Sequence, residues 1–187
     1  MRIISGQFKG RKIFEPKDKK TRPLKDLTKE SIFNIIQHSK KINFNLKNTN
    51  ILDLYSGVGS FGLEALSREA NYVTFVENYL DVINILEKNI KNFELDQKSK
   101  VIKKDILNDL DFLNLNQKYD LIFIDPPFKE KNIKSLLLKI YNSKILKPNG
   151  IFIMHRNSID SDEFPSEVNI LEKKVYGISQ IFFCNFN

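Results

Sequence analysis

Two short stretches hold side chains that could do chemistry. The first is Asp125-Pro126-Pro127-Phe128, which follows directly on the apolar run Leu121-Ile122-Phe123-Ile124. Asp125 offers a carboxylate acceptor. Two prolines fix φ and lack N–H groups, so they stiffen the turn and leave carbonyl oxygens free to accept hydrogen bonds. Phe128 offers a flat face on which a base can stack, an interaction of about 1–3 kcal/mol. An acceptor pair beside an aromatic platform suits the exocyclic amine of a planar base. The plainer alternative is a rigid helix-start loop with Phe128 in the core.

The second stretch is Gly57-Val58-Gly59-Ser60-Phe61-Gly62, a G-x-G-x-x-G pattern between a strand and a helix. Glycines allow a tight turn and close ligand approach, and the helix that follows presents free amides. Glu77, at the end of the next strand, is placed to accept both hydroxyls of a ribose. These features indicate an adenosine-containing cofactor. A nicotinamide dinucleotide would place its pyrophosphate on the loop. S-adenosylmethionine has no phosphate but carries an ammonium group and a cationic sulfur, so it favours acids and carbonyls nearby. Asp53 stands at the strand end before the loop, and Asp105 after the third strand could accept from an adenine amine. Tyr55, Asn78 and Ile106 adjoin these positions and are counted with the cofactor site.

The elements needed to position these groups are legible. From residue 51 onward, strand and helix alternate: strands at 51–55, 72–76, 101–102, 119–124 and 150–154, and helices at 61–68, 81–92 and 133–141. Such alternation implies a parallel sheet with helices on both faces, and in such sheets ligands gather at the carboxyl ends of strands. Two last strands, 171–175 and 179–186, leave no room for a helix between them. They should form a hairpin that puts one antiparallel strand into the sheet. Before residue 51, Arg2–Ser5 and Arg11–Phe14 read as a small hairpin, and Thr28 as the cap of a helix through Ile36. His155-Arg156 closes the fifth strand and reads as surface, with RNA contact as the alternative.

The chain has 187 residues, 41% of them hydrophobic and 15 of them Phe, enough for a packed domain and against disorder. One cysteine, Cys184, and two histidines, His38 and His155, exclude a disulfide framework and leave little for a metal centre. No apolar run approaches the roughly 20 residues of a membrane span. The reading is a soluble cytoplasmic protein, expected to be a monomer. Its charge is uneven. Residues 1–48 hold 13 Lys+Arg against 4 Asp+Glu, a net of +9, whereas residues 49–187 hold 17 against 19, a net of −2. A basic segment on a near-neutral body suits a polyanion. The chain therefore divides into a basic extension, 1–48, and a catalytic domain, 49–187. Candidate RNA contacts are Arg2, Lys9, Arg11, Lys12, Arg22 and Lys25.

Asp53-Leu54-Tyr55-Ser56-Gly57-Val58-Gly59 resembles motif I of the class I S-adenosylmethionine-dependent methyltransferases. Asp125 to Phe128 is similar to motif IV of enzymes that modify exocyclic amines of nucleobases. More narrowly, the chain resembles the RsmD family, the 16S rRNA (guanine-N2)-methyltransferases. The resemblance rests on residues 1–11, Thr21-Arg22-Pro23, Glu30-Ser31-Ile32-Phe33-Asn34, Gly62 to Arg68, Asp125 to Phe128, and Tyr176-Gly177. It implies a Rossmann-like α/β sheet with a small basic N-terminal extension, S-adenosylmethionine as cofactor, and 16S rRNA or a small-subunit assembly intermediate as partner. It implies no metal and no membrane. It departs from the family pattern at Leu27 and Lys29, where a second arginine is usual, with Lys25 and Lys29 keeping the charge. It departs again at Tyr55-Ser56-Gly57-Val58-Gly59, where Phe-Ala-Gly-(Ser/Thr)-Gly is usual. An adenine-N6 methyltransferase and a non-catalytic RNA-binding assembly factor stay open as alternatives.

Overall fold

The computed structural model describes residues 1–16 and 24–187. Arg22 and the Thr21–Pro23 stretch therefore lie outside the described residues. Among the described residues, seven strands form one sheet: β1 (Asn50–Leu54), β2 (Tyr72–Glu77), β3 (Ser99–Lys103), β4 (Tyr119–Ile124), β5 (Leu146–Asn157), β6 (Val168–Tyr176) and β7 (Ser179–Phe186). Their order is β3-β2-β1-β4-β5-β7-β6. The first five are parallel to one another, and β7 is antiparallel to both β5 and β6. The expected hairpin and its single reversed strand are thus present.

Among the described residues, four α-helices cover the sheet: α1 (Asp26–His38), α2 (Ser60–Ser67), α3 (Leu80–Asn92) and α4 (Ile133–Ser143). Side chains alternate along each strand, so the sheet builds two cores. On one face Ile51, Phe75, Phe123 and Ile153 pack with Phe33 of α1, Leu63 of α2 and Leu86 of α3. On the other, Leu52, Ile122, Phe152 and Met154 pack with α4. Helix α4 buries Ile133, Leu136, Leu137 and Ile140, the spacing of one helical stripe. Strand β4 is buried on both faces except at Asp120, which explains its nearly unbroken apolar run.

Helix α2 is buried at all eight residues, because the first residues of the chain lie over it. Glu64, fully buried in α2, accepts N–H bonds from Ile4 (2.7 Å) and Ser5 (3.0 Å) and pairs with Arg68 (2.7 Å). Asn89 of α3 accepts from the Phe14 N–H at 2.8 Å. The expected N-terminal hairpin is reduced to one antiparallel bridge, Arg2 to Lys12, flanked by the Ile3 N–H to Arg11 carbonyl and Ile13 N–H to Met1 carbonyl bonds. The ladder stops there because the Arg11 N–H turns back to the Phe8 carbonyl (3.1 Å) and the Ile3 carbonyl takes the Gly10 N–H (2.9 Å). Thr28 also departs from expectation. The helix begins at Asp26 after an uncapped Lys25, which leaves Thr28 buried inside its first turn.

Candidate functional site

The carboxyl ends of β1, β2, β4 and β5 share one edge, and both chemistry-bearing stretches lie there. Beyond β1 the chain turns through left-handed backbone at Tyr55 (φ 58°), Gly57 (φ 54°) and Gly59 (φ 84°). The three glycines do different work. A Cβ on Gly57 would meet nothing within 4 Å, so the loop faces open space there. A Cβ on Gly59 would lie 2.5 Å from Leu86, and one on Gly62 2.3 Å from the Phe75 ring. Gly59 and Gly62 thus let α2 and α3 close on the sheet, and Gly57 keeps the ligand side clear.

The acids named from the sequence brace this loop. Asp53 is fully buried, and its Oδ2 accepts the Gly62 N–H at 3.0 Å. Burial holds its carboxyl well above the ordinary carboxylate range, against the pull of that hydrogen bond. Nearby Asp125 and Glu77 push in the same direction as burial. Glu77 accepts from the N–H groups of Gly57 (2.9 Å), Asn78 (2.9 Å) and Tyr79 (3.0 Å). Asp105 accepts from Leu107 N–H (3.0 Å), Asn108 N–H (2.9 Å) and the Asn78 amide (2.9 Å). Ile106 is in the α4-side core, where it can offer backbone to the edge. The Tyr55 hydroxyl is buried with no hydrogen-bond partner among the described residues, and burial followed by the charges of Glu130 and Asp105 raises its pKa, so it stays a donor.

Asp125 begins the neighbouring turn, and its N–H reaches the Leu54 carbonyl at 3.4 Å. That bond ties the turn to the strand that carries the glycine loop. Phe61, which opens α2, stacks on Phe123 of β4 with centroids 3.9 Å apart, a second link between the two halves. Pro126 is buried, Pro127 is exposed, and Asp125 and Phe128 are half-buried, facing the edge. Asp125 Oδ1 lies 2.8 Å from His155 Nδ1. The Phe128 ring meets the His155 ring edge-on, with centroids 6.0 Å apart.

His155 and Arg156 correct the reading of this pair as surface: their exposures are 4% and 0%. The Arg156 guanidinium donates to the carbonyls of Pro127 (3.2 Å) and Glu130 (2.9 Å), and grips Asp162 with two bonds (2.7 and 2.9 Å). One sequence signal could have found them. They continue a run, Ile151 to Met154, that is apolar on both faces, so the next two positions share its cover. Lys29 is corrected too. It is fully buried between the Arg2 carbonyl (2.7 Å), Ser60 (3.2 Å) and Glu64 (3.8 Å), and cannot supply surface charge. Among the candidate RNA contacts, Arg2, Lys9, Arg11, Lys12 and Lys25 are exposed. Arg11 lies over the Phe8 and Phe93 rings, 5.3 and 4.5 Å from their centroids. A separate cleft of about 660 Å³ opens at the far end of α2, beside Phe33, Phe44 and Arg68, and shares no residue with this edge.

The edge fits an adenosine-containing ligand. It has open space over Gly57, a buried hydroxyl without a partner at Tyr55, and three acids held by N–H donors of backbone and amide. Residues 1–185 match the family described as "Conserved hypothetical protein 95". The "Ribosomal RNA small subunit methyltransferase D" of Haemophilus influenzae is 31% identical over 182 residues, covering 95% of this chain and 90% of that one. Among solved structures, YhhF of Escherichia coli superposes with a TM-score of 0.82 at 24% identity, over all of this chain and 97% of that one. SMU.776, solved with SAH bound, shares the fold at a TM-score of 0.63 and 19% identity, over 84% of this chain and 49% of that one.

Proposed function

The chain belongs to the conserved hypothetical protein 95 family, the RsmD methyltransferases, and from that premise we propose that it transfers a methyl group from S-adenosylmethionine to the N2 amine of a guanine in 16S rRNA. One observation carries this reading. The glycine loop and the Asp125–Phe128 turn stand on adjacent strand ends, joined by the Asp125 N–H to Leu54 bond. The relative named for small-subunit rRNA supports the substrate class, and the SAH-bound neighbour supports the cofactor.

Residues Asp53, Tyr55, Gly57, Gly59, Gly62, Glu77, Asn78, Asp105 and Ile106 would form the cofactor site. Bound there, S-adenosylmethionine supplies an electrophilic methyl group. The guanine N2 lone pair is delocalised into the ring, so the amine is a poor nucleophile and has to be oriented. Asp125 and the Pro126 carbonyl accept its two N–H bonds, the Pro127 carbonyl being already bonded to Arg156. The carboxylate then favours the positive charge that develops on nitrogen. Phe128 stacks the base, which has to leave its helix or lie in a loop. The N2 proton departs to water or by way of Asp125.

The basic extension, residues 1–48, holds the phosphate backbone, and residues 49–187 carry out the transfer. Replacing exposed Lys9, Lys12 and Lys25 by Gln should flatten the salt dependence of rRNA binding by about 0.7–0.9 in log–log slope per lost phosphate contact. Titrations at several salt concentrations measure it, and an unchanged slope would place the RNA elsewhere. The test of the function itself is nucleoside mass spectrometry of rRNA from cells with and without the protein. N2-methylguanosine that depends on the protein supports the reading. Protein-dependent N6-methyladenosine would move the target to adenine, and no difference in methylation would favour an assembly factor.

A further inference from the structure

A carboxylate on a turn at a sheet edge has two soft torsions, and Asp125 has to hold one of its oxygens where an amine arrives. The turn is gripped from both faces of the sheet by consecutive residues of β5. Ile151 and Ile153 face the core under α1, α2 and α3, whereas Phe152 and Met154 face the α4 side. By the same alternation His155 serves the first face and Arg156 the second. From the first face, His155 Nδ1 meets Asp125 Oδ1 at 2.8 Å, and its ring lies edge-on to Phe128. From the second, Arg156 holds the carbonyls of Pro127 and Glu130, where the chain descends towards α4.

The histidine is placed for one task. A carboxylate can only accept, so the Nδ1 facing ionised Asp125 carries the proton. His155 Nε2 is buried without a hydrogen-bond partner among the described residues, which fits an unprotonated acceptor better than an orphaned donor. With Oδ1 engaged by His155, Asp125 keeps Oδ2 for a substrate. We propose that His155 is a positioning residue for methyl transfer. It fixes the carboxylate plane of Asp125 and the ring of Phe128 together, while Arg156 fixes the backbone between them. The inference deepens the function proposed above and rests on it. Misplacing a reacting group by about 1 Å can cost on the order of 10² in rate.

Two full-length variants test it. His155→Phe keeps an aromatic ring beside Phe128, slightly larger than imidazole, but removes the Nδ1 donor. His155→Asn loses the ring and keeps an N–H donor within reach of Asp125. Single-turnover methyl transfer to small-subunit rRNA would be followed from labelled S-adenosylmethionine, counting every transferred methyl whatever the base. Affinities for rRNA and S-adenosylmethionine would be measured alongside, with circular dichroism melts to confirm folding. His155→Phe should slow the transfer about 10- to 100-fold with both affinities within about threefold, and His155→Asn should recover most of the rate.

The proposal is overturned if His155→Phe transfers at the wild-type rate, or if His155→Asn is as slow as His155→Phe. It is overturned too if rRNA affinity falls as far as the rate does. The methylated base is identified separately by mass spectrometry. A target other than guanine N2 would overturn the proposed function while leaving the rate ratios to judge His155. Flat ratios with guanine N2 confirmed would overturn His155 alone, and no transfer by the wild type would overturn both.

Discussion

The glycine loop and the Asp125–Phe128 turn sit side by side on β1 and β4, yet different means hold them in shape. The loop shapes itself: left-handed backbone at Tyr55, Gly57 and Gly59, and a Gly59 N–H bond to the Ser56 carbonyl at 2.8 Å. Its acidic braces, Asp53 and Glu77, come from nearby in the chain, the Asp53 bond to Gly62 spanning 9 residues and the Glu77 bond to Gly57 spanning 20, and one neutral amide, Asn89, reaches the Val58 carbonyl at 3.1 Å from 31 residues away. The turn is held from outside. Its side-chain partners are His155 and Arg156, across 26 to 30 residues, and Arg156 is itself held by Asp162. A loop encoded in its own backbone tolerates changes around it, whereas a turn clamped by buried ions depends on every partner being in place.

The largest effect should come from the clamp. Arg156→Met strips the partner from Asp162, whose side chain is only 7% exposed. Removing one partner of a buried ion pair costs about 3–5 kcal/mol. Urea unfolding measures the loss, and a change under about 1 kcal/mol would show that Asp162 finds water or another donor. Asp125→Ala should leave the fold intact and strike the reaction. Losing one preorganised charge-stabilising partner lowers the rate about 10²–10³-fold, or roughly 3–4 kcal/mol. Single-turnover assays with the affinities measured in parallel check this, and a near wild-type rate would remove Asp125 from the chemistry.

Substitutions in the loop sharpen the contrast. Gly59→Ala places a Cβ 2.5 Å from Leu86 at a positive φ, so overpacking and backbone strain together should cost about 2–4 kcal/mol of stability. Gly57→Ala shares the backbone strain, about 1–2 kcal/mol, but its Cβ enters open space. It should therefore lose S-adenosylmethionine affinity out of proportion to its stability. Melting curves and calorimetric titration of both variants separate the roles, and equal losses of affinity per unit of stability would refute the distinction.

The smallest effect is a pH dependence. Asp53 has a folded pKa raised above its ordinary 3.8 by burial. Its contribution to stability is intact below that ordinary value. It is lost as pH rises towards the folded value, because the unfolded chain ionises first. Asn in its place does not titrate and still accepts the Gly62 N–H. Asp53→Asn should thus gain stability relative to the wild type as pH rises above about 4. Melts of both proteins from pH 4 to 8 test it, and parallel curves would show that Asp53 ionises freely in the folded state.

Much of this molecule was legible in order of residues. The strand–helix alternation from 51 onward, the closing hairpin and the placement of both motifs at strand ends came from periodicity and turn chemistry. Those are local properties, set by which φ values glycine and proline allow and which side chains alternate. The N-terminal bridge, the inner position of Thr28 and the burial of Lys29, His155 and Arg156 were not legible. The buried Lys29, His155 and Arg156 depend on partners far along the chain, as Lys29 does on Glu64 and His155 on Asp125. A charged side chain is the same in sequence whether water or protein covers it.

The order of residues sets which chemical groups stand at the carboxyl edge and which backbone turns present them, because glycine, proline and alternating apolar runs act over a few residues. Which ions are desolvated, and whose hydrogen bonds they complete, follows from packing between distant segments. Arg156 became an internal clamp because β5 lies between β4 and β7, with the loop from Asn157 to Asp162 folded back over its end. Desolvation is a property of what packs around a group, and that is fixed when distant segments meet.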